Sequence, residues 1–215
     1  MEANKVSKKL LNRLPAYLNY LKTQPHSENI SATAMAKALG LGDVQVRKNL
    51  AKISHTGRRR TGRNRELLIQ DIEDYLDFAT ETGTILIGTG KLGQALLDYS
   101  GFEESGMNVM AGFDICPGKN LSAGGNPIYP MSRLESFCKC YDVRIGIIAV
   151  PTESAQTVCD SLVACGVSAI WNFAPIQLKV PEYVVVQNEN LAISFAALRL
   201  QLRNNHIRSC EMAVR

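Results

Sequence analysis

The sequence predicts an α/β protein in which a small helical N-terminal domain precedes a larger, doubly wound parallel sheet. Two observations predict this class. Hydrophobic side chains recur at helical spacing over the first 55 residues, and short apolar runs then alternate with helical stretches from residue 84 onward. The 215 residues, 46% of them hydrophobic, suffice for two cores. We expect the first domain over residues 1–80, the second over 81–188, and a final helix and tail over 189–215.

Charge is divided unevenly between these parts. Residues 1–65 contain fourteen Lys and Arg against three Asp and Glu, whereas the rest of the chain contains ten against seventeen. The first part therefore carries a net charge of +11 and the second −7, which agrees with +4 for the whole chain. A basic domain joined to an acidic one is typical of proteins that bind nucleic acid. A surface that is only solubilising remains the alternative, although such surfaces usually mix both signs.

Three helices are predicted in the N-terminal domain. The first, over residues 14–21, places apolar side chains at i, i+3, i+4 and i+7, with Pro15 in its first turn. The second begins after Ser31, a favourable N-cap, and the third is capped by Asp43. Only the glycine turn 40–42 separates the second helix from the third, so the pair is predicted to form a helix-turn-helix.

Polar and apolar side chains divide the third helix into two faces. Val46, Leu50 and Ile53 are expected to pack inward. The other face is expected to project outward, where long donors reach base edges or phosphates of DNA. Its members are Gln45, Arg47, Lys48, Asn49 and Lys52. An ordinary amphipathic surface helix would show the same division, but a basic loop follows directly.

That loop, residues 57–65, is punctuated by glycine and contains no acidic residue. A loop of this kind suits a wing that lies along phosphates or enters a minor groove. Its candidate DNA contacts are Arg58, Arg59, Arg60 and Arg63. The first domain is therefore predicted to be a winged helix-turn-helix that binds double-stranded DNA.

A glycine-rich turn between a strand and a helix begins the second domain. The apolar run 84–87 leads into Gly88-Thr89-Gly90-Lys91-Leu92-Gly93, a GxGxxG pattern that allows close approach to a pyrophosphate at a helix N-terminus. A second strand, residues 108–113, ends at Asp114, whose carboxylate can accept both ribose hydroxyls and would repel a 2′-phosphate. We therefore predict a Rossmann domain that binds NAD(H). A glycine turn in some other α/β protein is the alternative.

Further strands are predicted over residues 144–150, 169–173 and 183–186, with helices over 133–141 and 155–165 between them. Ligands bind at the carboxyl ends of strands in such sheets. Candidates for lining the dinucleotide site are Val150, Pro151, Asn172, Ala174 and Pro175, although each could be part of a plain turn.

The last helix, over residues 190–204, is apolar on more than one face and is expected to pack against a second subunit. A homodimer would match the symmetry of a palindromic DNA site. The six cysteines show no CxxC spacing, which favours reduced thiols and no metal site. Without a run of 18 apolar residues or a signal peptide, we expect no membrane span and a cytoplasmic location.

Short motifs occur in a characteristic order along nearly the whole chain. They are Arg13-Leu14-Pro15-x-Tyr17-Leu18, Gln45-Val46-Arg47-Lys48, the glycine turn followed by Leu97-x-Tyr99-x-Gly101-Phe102, Phe113-Asp114, Val150-Pro151 with Ala155-Gln156, Asn172-Phe173-Ala174-Pro175 and Val180-Pro181. In this order and spacing the chain resembles the Rex family of bacterial redox-sensing transcriptional repressors.

The resemblance implies a homodimer whose C-terminal helices swap between subunits. It also implies repression of genes for fermentative and NADH-oxidising metabolism, with DNA bound when NAD⁺ dominates and released when NADH binds. The resemblance also implies residue roles. Arg47 and Lys48 would contact DNA, and Gly88, Gly90, Gly93 and Asp114 would bind the pyrophosphate and the ribose. Val150 and Pro151 would lie near the nicotinamide, and Arg13 and Tyr99 would take part in switching.

Departures from the family pattern leave other functions open. Asn49 stands where the family usually has aspartate, and Asn190 replaces an aspartate of the switch contacts, so that a neutral side chain stands in for a carboxylate. A divergent paralogue could bind DNA constitutively or respond to another nucleotide such as CoA. A dehydrogenase is disfavoured because the histidines His26, His55 and His206 all lie outside the predicted Rossmann domain, and we expect no enzymatic activity.

Overall fold

The computed structural model describes residues 7–26, 29–54, 62–78 and 80–213 of the chain. Its contacts divide the chain into two compact units, residues 1–80 and residues 81–215. Each unit has its own buried cluster of hydrophobic side chains.

The first unit contains five helices and two short strands in its described part. These are α1 (Lys8–Leu11), α2 (Leu14–Lys22), β1 (Asn29–Ile30), α3 (Ala32–Ala38), α4 (Asp43–Ile53), β2 (Arg63–Asn64) and α5 (Arg65–Tyr75). The strands β1 and β2 form an antiparallel pair. As the helical spacing predicted, the apolar face of α2 is buried, and it packs in one cluster with side chains from α3, α4 and α5.

Local sequence explains where these helices begin. Pro15 lies in the first turn of α2, and the Ser31 hydroxyl accepts a hydrogen bond from the backbone N–H of Ala34 at 3.0 Å, as an N-cap does. The prediction that Asp43 caps α4 was wrong. The N-cap is Gly42, and Asp43 already lies in the first helical turn, so its carboxylate reaches sideways to Thr33 of α3 at 2.9 Å instead.

The second unit is built on a six-stranded parallel sheet with the order β5-β4-β3-β6-β7-β8. The strands are β3 (Thr82–Ile87), β4 (Met107–Asp114), β5 (Ile128–Pro130), β6 (Val143–Ile148), β7 (Ala169–Asn172) and β8 (Val185–Asn188). The helices are α6 (Lys91–Leu97), α7 (Leu134–Cys140), α8 (Thr152–Ala164) and α9 (Leu191–Ala213), with short 3₁₀ helices at Ser100–Ser105 and Met131–Arg133. The predicted doubly wound parallel sheet is confirmed.

The two faces of the sheet carry separate hydrophobic clusters, because successive side chains of a strand point to opposite faces. Ile85 and Ile87 of β3 belong to one cluster, whereas Leu86 between them belongs to the other. Strand order reverses at β3, which pairs with β4 on one side and β6 on the other. The carboxyl end of β3 is therefore the switch point at which such sheets bind ligands.

Three details of the second unit differ from the sequence predictions. The edge strand β5 was missed, since three residues show no periodicity. Strand β8 begins at Val185 rather than Tyr183, because a turn closed by a bond from the Val184 N–H to the Pro181 carbonyl precedes it. Helix α9 continues to Ala213, beyond the predicted end near residue 204.

Helix α9 exposes large apolar side chains around its described part. Each is between 50% and 67% exposed: Leu191, Ile193, Phe195, Leu198, Leu200 and Leu202. Among the helices in the described part of the chain, none combines the length and hydropathy that crossing a membrane requires.

Candidate dinucleotide and DNA sites

Each of the three glycines in the turn after β3 has a different structural environment that explains the absence of a side chain. Gly88 has a φ of +95°, and a Cβ there would lie 2.7 Å from the Ala149 carbonyl oxygen of the neighbouring strand end. A Cβ on Gly93 would lie 1.8 Å from the Gly88 carbonyl oxygen, so α6 packs on the turn only without a side chain there. A Cβ on Gly90 would meet no atom within 4 Å, so the space beside it is open for a ligand.

Asp114 ends β4 directly beside this turn. Its Oδ2 accepts hydrogen bonds from the Thr89 N–H at 2.7 Å and the Thr89 hydroxyl at 3.1 Å, and its Oδ1 accepts from the Cys116 N–H at 3.0 Å. Burial alone would raise the pKa of Asp114, but these bonds and one from the Ile115 N–H outweigh it, so the pKa is lowered. The group is therefore a carboxylate at neutral pH.

A cavity of about 230 Å³ opens at this edge of the sheet. Five of the predicted residues line it: Gly88, Gly90, Asp114, Val150 and Pro151. Three apolar side chains and one hydroxyl of its lining were not predicted from the sequence, namely Ile115, Met131, Val158 and Ser154. The first two follow the strands β4 and β5, and a search of the residues just after each strand would have found Ile115. Lys91 and Leu92 are exposed in the first turn of α6, and Thr89 is buried.

Asn172 does not line this cavity, because its side chain is fully buried and fully engaged. Its Nδ2 donates to the Asn188 Oδ1 at 2.9 Å and to the Ala174 and Ile176 carbonyls at 3.1 and 2.9 Å, and its Oδ1 accepts from the Ala174 N–H. Ala174 is buried and Pro175 is exposed in the same turn. These contacts fix the end of β7 against β8, so Asn172 acts here by holding the backbone.

A larger cavity of about 820 Å³ lies between α7 and α8 and includes no residue of the glycine turn. Cys138 and Cys165 line it, and burial together with the neighbouring Cys165 thiol raises the pKa of Cys138 to about 11. That thiol is protonated and unreactive at neutral pH. The five cysteines whose side chains are described are all free.

Helix α4 presents Gln45, Arg47, Lys48 and Lys52 on its exposed face. The Arg47 guanidinium pairs with the Asp43 carboxylate at 2.7 Å and donates to the Thr33 hydroxyl at 3.3 Å. The prediction that Asn49 projects outward was wrong. Asn49 is 5% exposed because its amide bonds to the buried Tyr17 hydroxyl.

The predicted wing is described only at its second strand. Arg58, Arg59 and Arg60 lie outside the described residues. Arg63 in β2 is half-buried, and its Nε has no hydrogen-bond partner among the residues that the structure describes. Burial lowers the pKa of its guanidinium more than the nearby Asp71 carboxylate raises it. Arg65 is buried and donates to the Leu21 carbonyl at 2.7 Å, which ties the base of the wing to α2.

Comparison with known proteins finds one matching family in each of the two units. The family "Putative DNA-binding protein N-terminus" matches residues 5–51, and the family "CoA binding domain" matches residues 79–176. The redox-sensing transcriptional repressor Rex of Porphyromonas gingivalis is 38% identical over 197 residues, which cover 90% of each chain. The chain belongs to the Rex family. The Rex of Bacteroides thetaiotaomicron is 36% identical over 213 residues, covering 97% of this chain and 96% of that one.

Solved Rex structures share the fold across both units. The Rex-family repressor RSP in complex with β-NAD⁺ and operator DNA has a TM-score of 0.84 and 33% identity, with 95% of each chain covered. RSP in complex with β-NADH has a TM-score of 0.85 and 32% identity, covering 96% of this chain and 98% of that one. The predicted family and fold class, a winged helix-turn-helix with a Rossmann domain, are confirmed. Both relatives are redox-sensing transcriptional repressors by name.

The residues predicted from the sequence to take part in switching lie at the ends of elements. Arg13 is half-buried directly before α2. The exposed Tyr99 ring packs edge-on against Phe102 at 4.9 Å between centroids, and Phe102 contacts Trp171 at 5.6 Å. The Trp171 indole N–H donates to Glu189 at 3.3 Å.

Asn190, where the Rex pattern has aspartate, caps α9. Its Oδ1 accepts a hydrogen bond from the backbone N–H of Ile193 at 3.0 Å. Asparagine and aspartate are about equally good at an N-cap, so the exchange preserves the start of the helix and removes only the charge.

Proposed function

We propose that this chain is a non-enzymatic repressor that binds operator DNA as a homodimer when NAD⁺ dominates and is released by NADH. The observation that carries the proposal is the ionised Asp114 carboxylate beside the open space at Gly90, in a chain that also presents a basic helix-turn-helix. We assign DNA binding to residues 1–80, dinucleotide binding to residues 81–188 and dimerisation to residues 189–215.

The dinucleotide would lie across the carboxyl end of β3. Backbone N–H groups of the Gly88–Gly93 turn, with Thr89, Lys91 and Leu92 in it, would face the pyrophosphate. Asp114 would accept the adenosine ribose hydroxyls with the lone pairs that Thr89 and Cys116 leave free. Val150 and Pro151, which line the cavity, would lie near the nicotinamide.

The winged helix would read DNA in the manner of its class. Gln45, Arg47, Lys48 and Lys52 of α4 would enter the major groove, and the arginines of the wing, Arg58, Arg59, Arg60 and Arg63, would contact phosphates or the minor groove. Arg13, Tyr99 and Asn190 would take part in the change of state between the two ligands.

CoA is the second candidate ligand, because a CoA-binding family matches residues 79–176. CoA carries a phosphate on the 3′ oxygen of its ribose, where the Asp114 carboxylate would accept a hydroxyl. Two anions at hydrogen-bond distance repel each other, so Asp114 favours NAD(H) over both CoA and NADP(H).

A homodimer is favoured by α9. Six large apolar side chains of this helix are at least half exposed in the single chain. Exposure of that extent marks a surface that another protein covers. Two copies of the chain would also place two α4 helices on the half-sites of a palindrome.

Fluorescence anisotropy of a labelled operator duplex tests the proposal. The full chain is bound to a Rex-type palindrome at fixed salt, and NAD⁺, NADH and CoA are titrated separately. We expect release by NADH alone. If neither NAD⁺ nor NADH released the duplex, redox sensing would be refuted and DNA binding would stand. Release of the duplex by CoA would establish CoA as the ligand.

A further inference from the structure

Two linked hydrogen bonds, one part-buried and one buried, connect Gln45 to the core of the first unit. Tyr17 of α2 is fully buried and Asn49 of α4 is 5% exposed. The Asn49 Nδ2 donates to the Tyr17 hydroxyl at 2.9 Å, and the Asn49 Oδ1 accepts from the Gln45 Nε2 at 2.9 Å. The amide of a side chain on the exposed face of α4 is therefore tied to the core of the unit.

Burial makes this arrangement specific. A buried amide that loses a partner is costly, because water no longer reaches it. Asn49 satisfies its Nδ2 with Tyr17 and its Oδ1 with Gln45, so the Gln45 amide is held in one orientation. A free glutamine on a helix surface would instead turn its amide to suit any neighbour.

The held orientation leaves a defined set of groups for a ligand. A glutamine amide has two N–H donors and one oxygen acceptor. One N–H of Gln45 is bound to Asn49, which leaves one N–H and the Oε1. One donor next to one acceptor matches the major-groove edge of adenine, which offers N7 as an acceptor and N6 as a donor.

We propose that Asn49 and Tyr17 are positioning residues that orient Gln45 to read an adenine in the major groove. The inference rests on the proposed function, in which α4 enters that groove. Guanine is disfavoured because its O6 would face the Gln45 Oε1, two acceptors in contact. Cytosine and thymine each lack one group of the matching pair.

Base preference tests the inference. The full chain is first used to select its operator from random duplexes, and anisotropy then gives Kd for every single base-pair substitution. Gln45→Ala identifies the position that Gln45 reads. We expect wild type to prefer adenine there by about tenfold or more, and Asn49→Leu to reduce this preference to below about threefold.

Two further variants separate orientation from folding. Asn49→Asp keeps an acceptor for both Gln45 and the Tyr17 hydroxyl, so it should retain the adenine preference. Tyr17→Phe removes the hydroxyl to which Asn49 donates, so it should reduce the adenine preference at the position that Gln45 reads and at no other. Thermal unfolding reports whether each variant is folded.

Analogue duplexes sharpen the assignment. At the identified position, 7-deazaadenine lacks N7 and purine lacks the N6 amino group, so each should weaken wild type several-fold and leave Gln45→Ala unchanged. An unaltered adenine preference in Asn49→Leu would overturn the inference, as would an equal loss for every duplex in Gln45→Ala. Absence of any sequence preference in wild type would overturn the proposed function as well.

Discussion

Replacing Gly90 by valine should block the dinucleotide site without disturbing the fold. The Gly90 backbone is extended, with φ −66° and ψ −169°, a conformation that β-branched residues adopt readily. A Cβ at this position meets no atom within 4 Å. Gly90 is also the N-cap of α6, where valine is less favourable than glycine, so we expect the free energy of unfolding to fall by no more than about 1 kcal/mol.

The effect on binding follows from the space that the two methyl groups take. They would fill the open side of the turn and keep a pyrophosphate from its backbone donors. A hydrogen bond to a charged group is worth about 1.5–3 kcal/mol, so the loss of one or two raises Kd for NADH on the order of a hundredfold or more.

Isothermal titration calorimetry with NADH measures this change, and thermal unfolding without ligand checks the fold. Gly118→Val is a matched control, because Gly118 is an exposed glycine of the same unit whose Cβ would also meet nothing within 4 Å. The control should bind NADH as wild type does. A Gly90→Val protein with a Kd within threefold of wild type would show that the pyrophosphate lies elsewhere.

Three other substitutions probe neighbouring features. Gly93→Ala forces a Cβ to 1.8 Å from the Gly88 carbonyl oxygen and should destabilise the second unit by about 3 kcal/mol, lowering its Tm in a calorimetric scan by roughly 6–12 °C. Asp43→Asn removes the carboxylate paired with Arg47 and should tighten DNA binding and steepen its salt dependence by about one counterion per subunit; weaker binding would mean that the pair holds Arg47 in place. Because the pKa of Asp114 is lowered in the folded state, the wild type should be more stable than Asp114→Asn above about pH 4. It should lose that advantage as acid protonates the carboxylate, and denaturant titrations at several pH values measure the difference.

The sequence carried most of the information about regular elements and the glycine turn. The GxGxxG pattern and the acidic end of the next strand lie close in sequence to the strands that position them, so pattern and geometry agree at Gly88, Gly90 and Asp114. Helical spacing also predicted the buried face of α2. Strands of two or three residues, such as β1 and β5, show no period and were missed.

Contacts between elements distant in sequence account for the remaining errors. Asn49 was expected on the exposed face because it is polar, but a hydroxyl 32 residues away, on Tyr17, draws it inward. Asn172 stays a predicted residue of the ligand site, but the sequence did not show that its buried amide bonds to Asn188 on the next strand. In both cases a specific hydrogen bond outweighs the general tendency of amides to face water.

The single tryptophan of the chain has a spectroscopic consequence. Trp171 contacts Phe102, which contacts Tyr99, and its indole N–H bonds to Glu189, next to the residue that caps α9. Its emission comes from one position only, so no signal averaging over several indoles obscures a change. Intrinsic fluorescence therefore reports whether this junction rearranges when a nucleotide binds, without a label and on the unmodified chain.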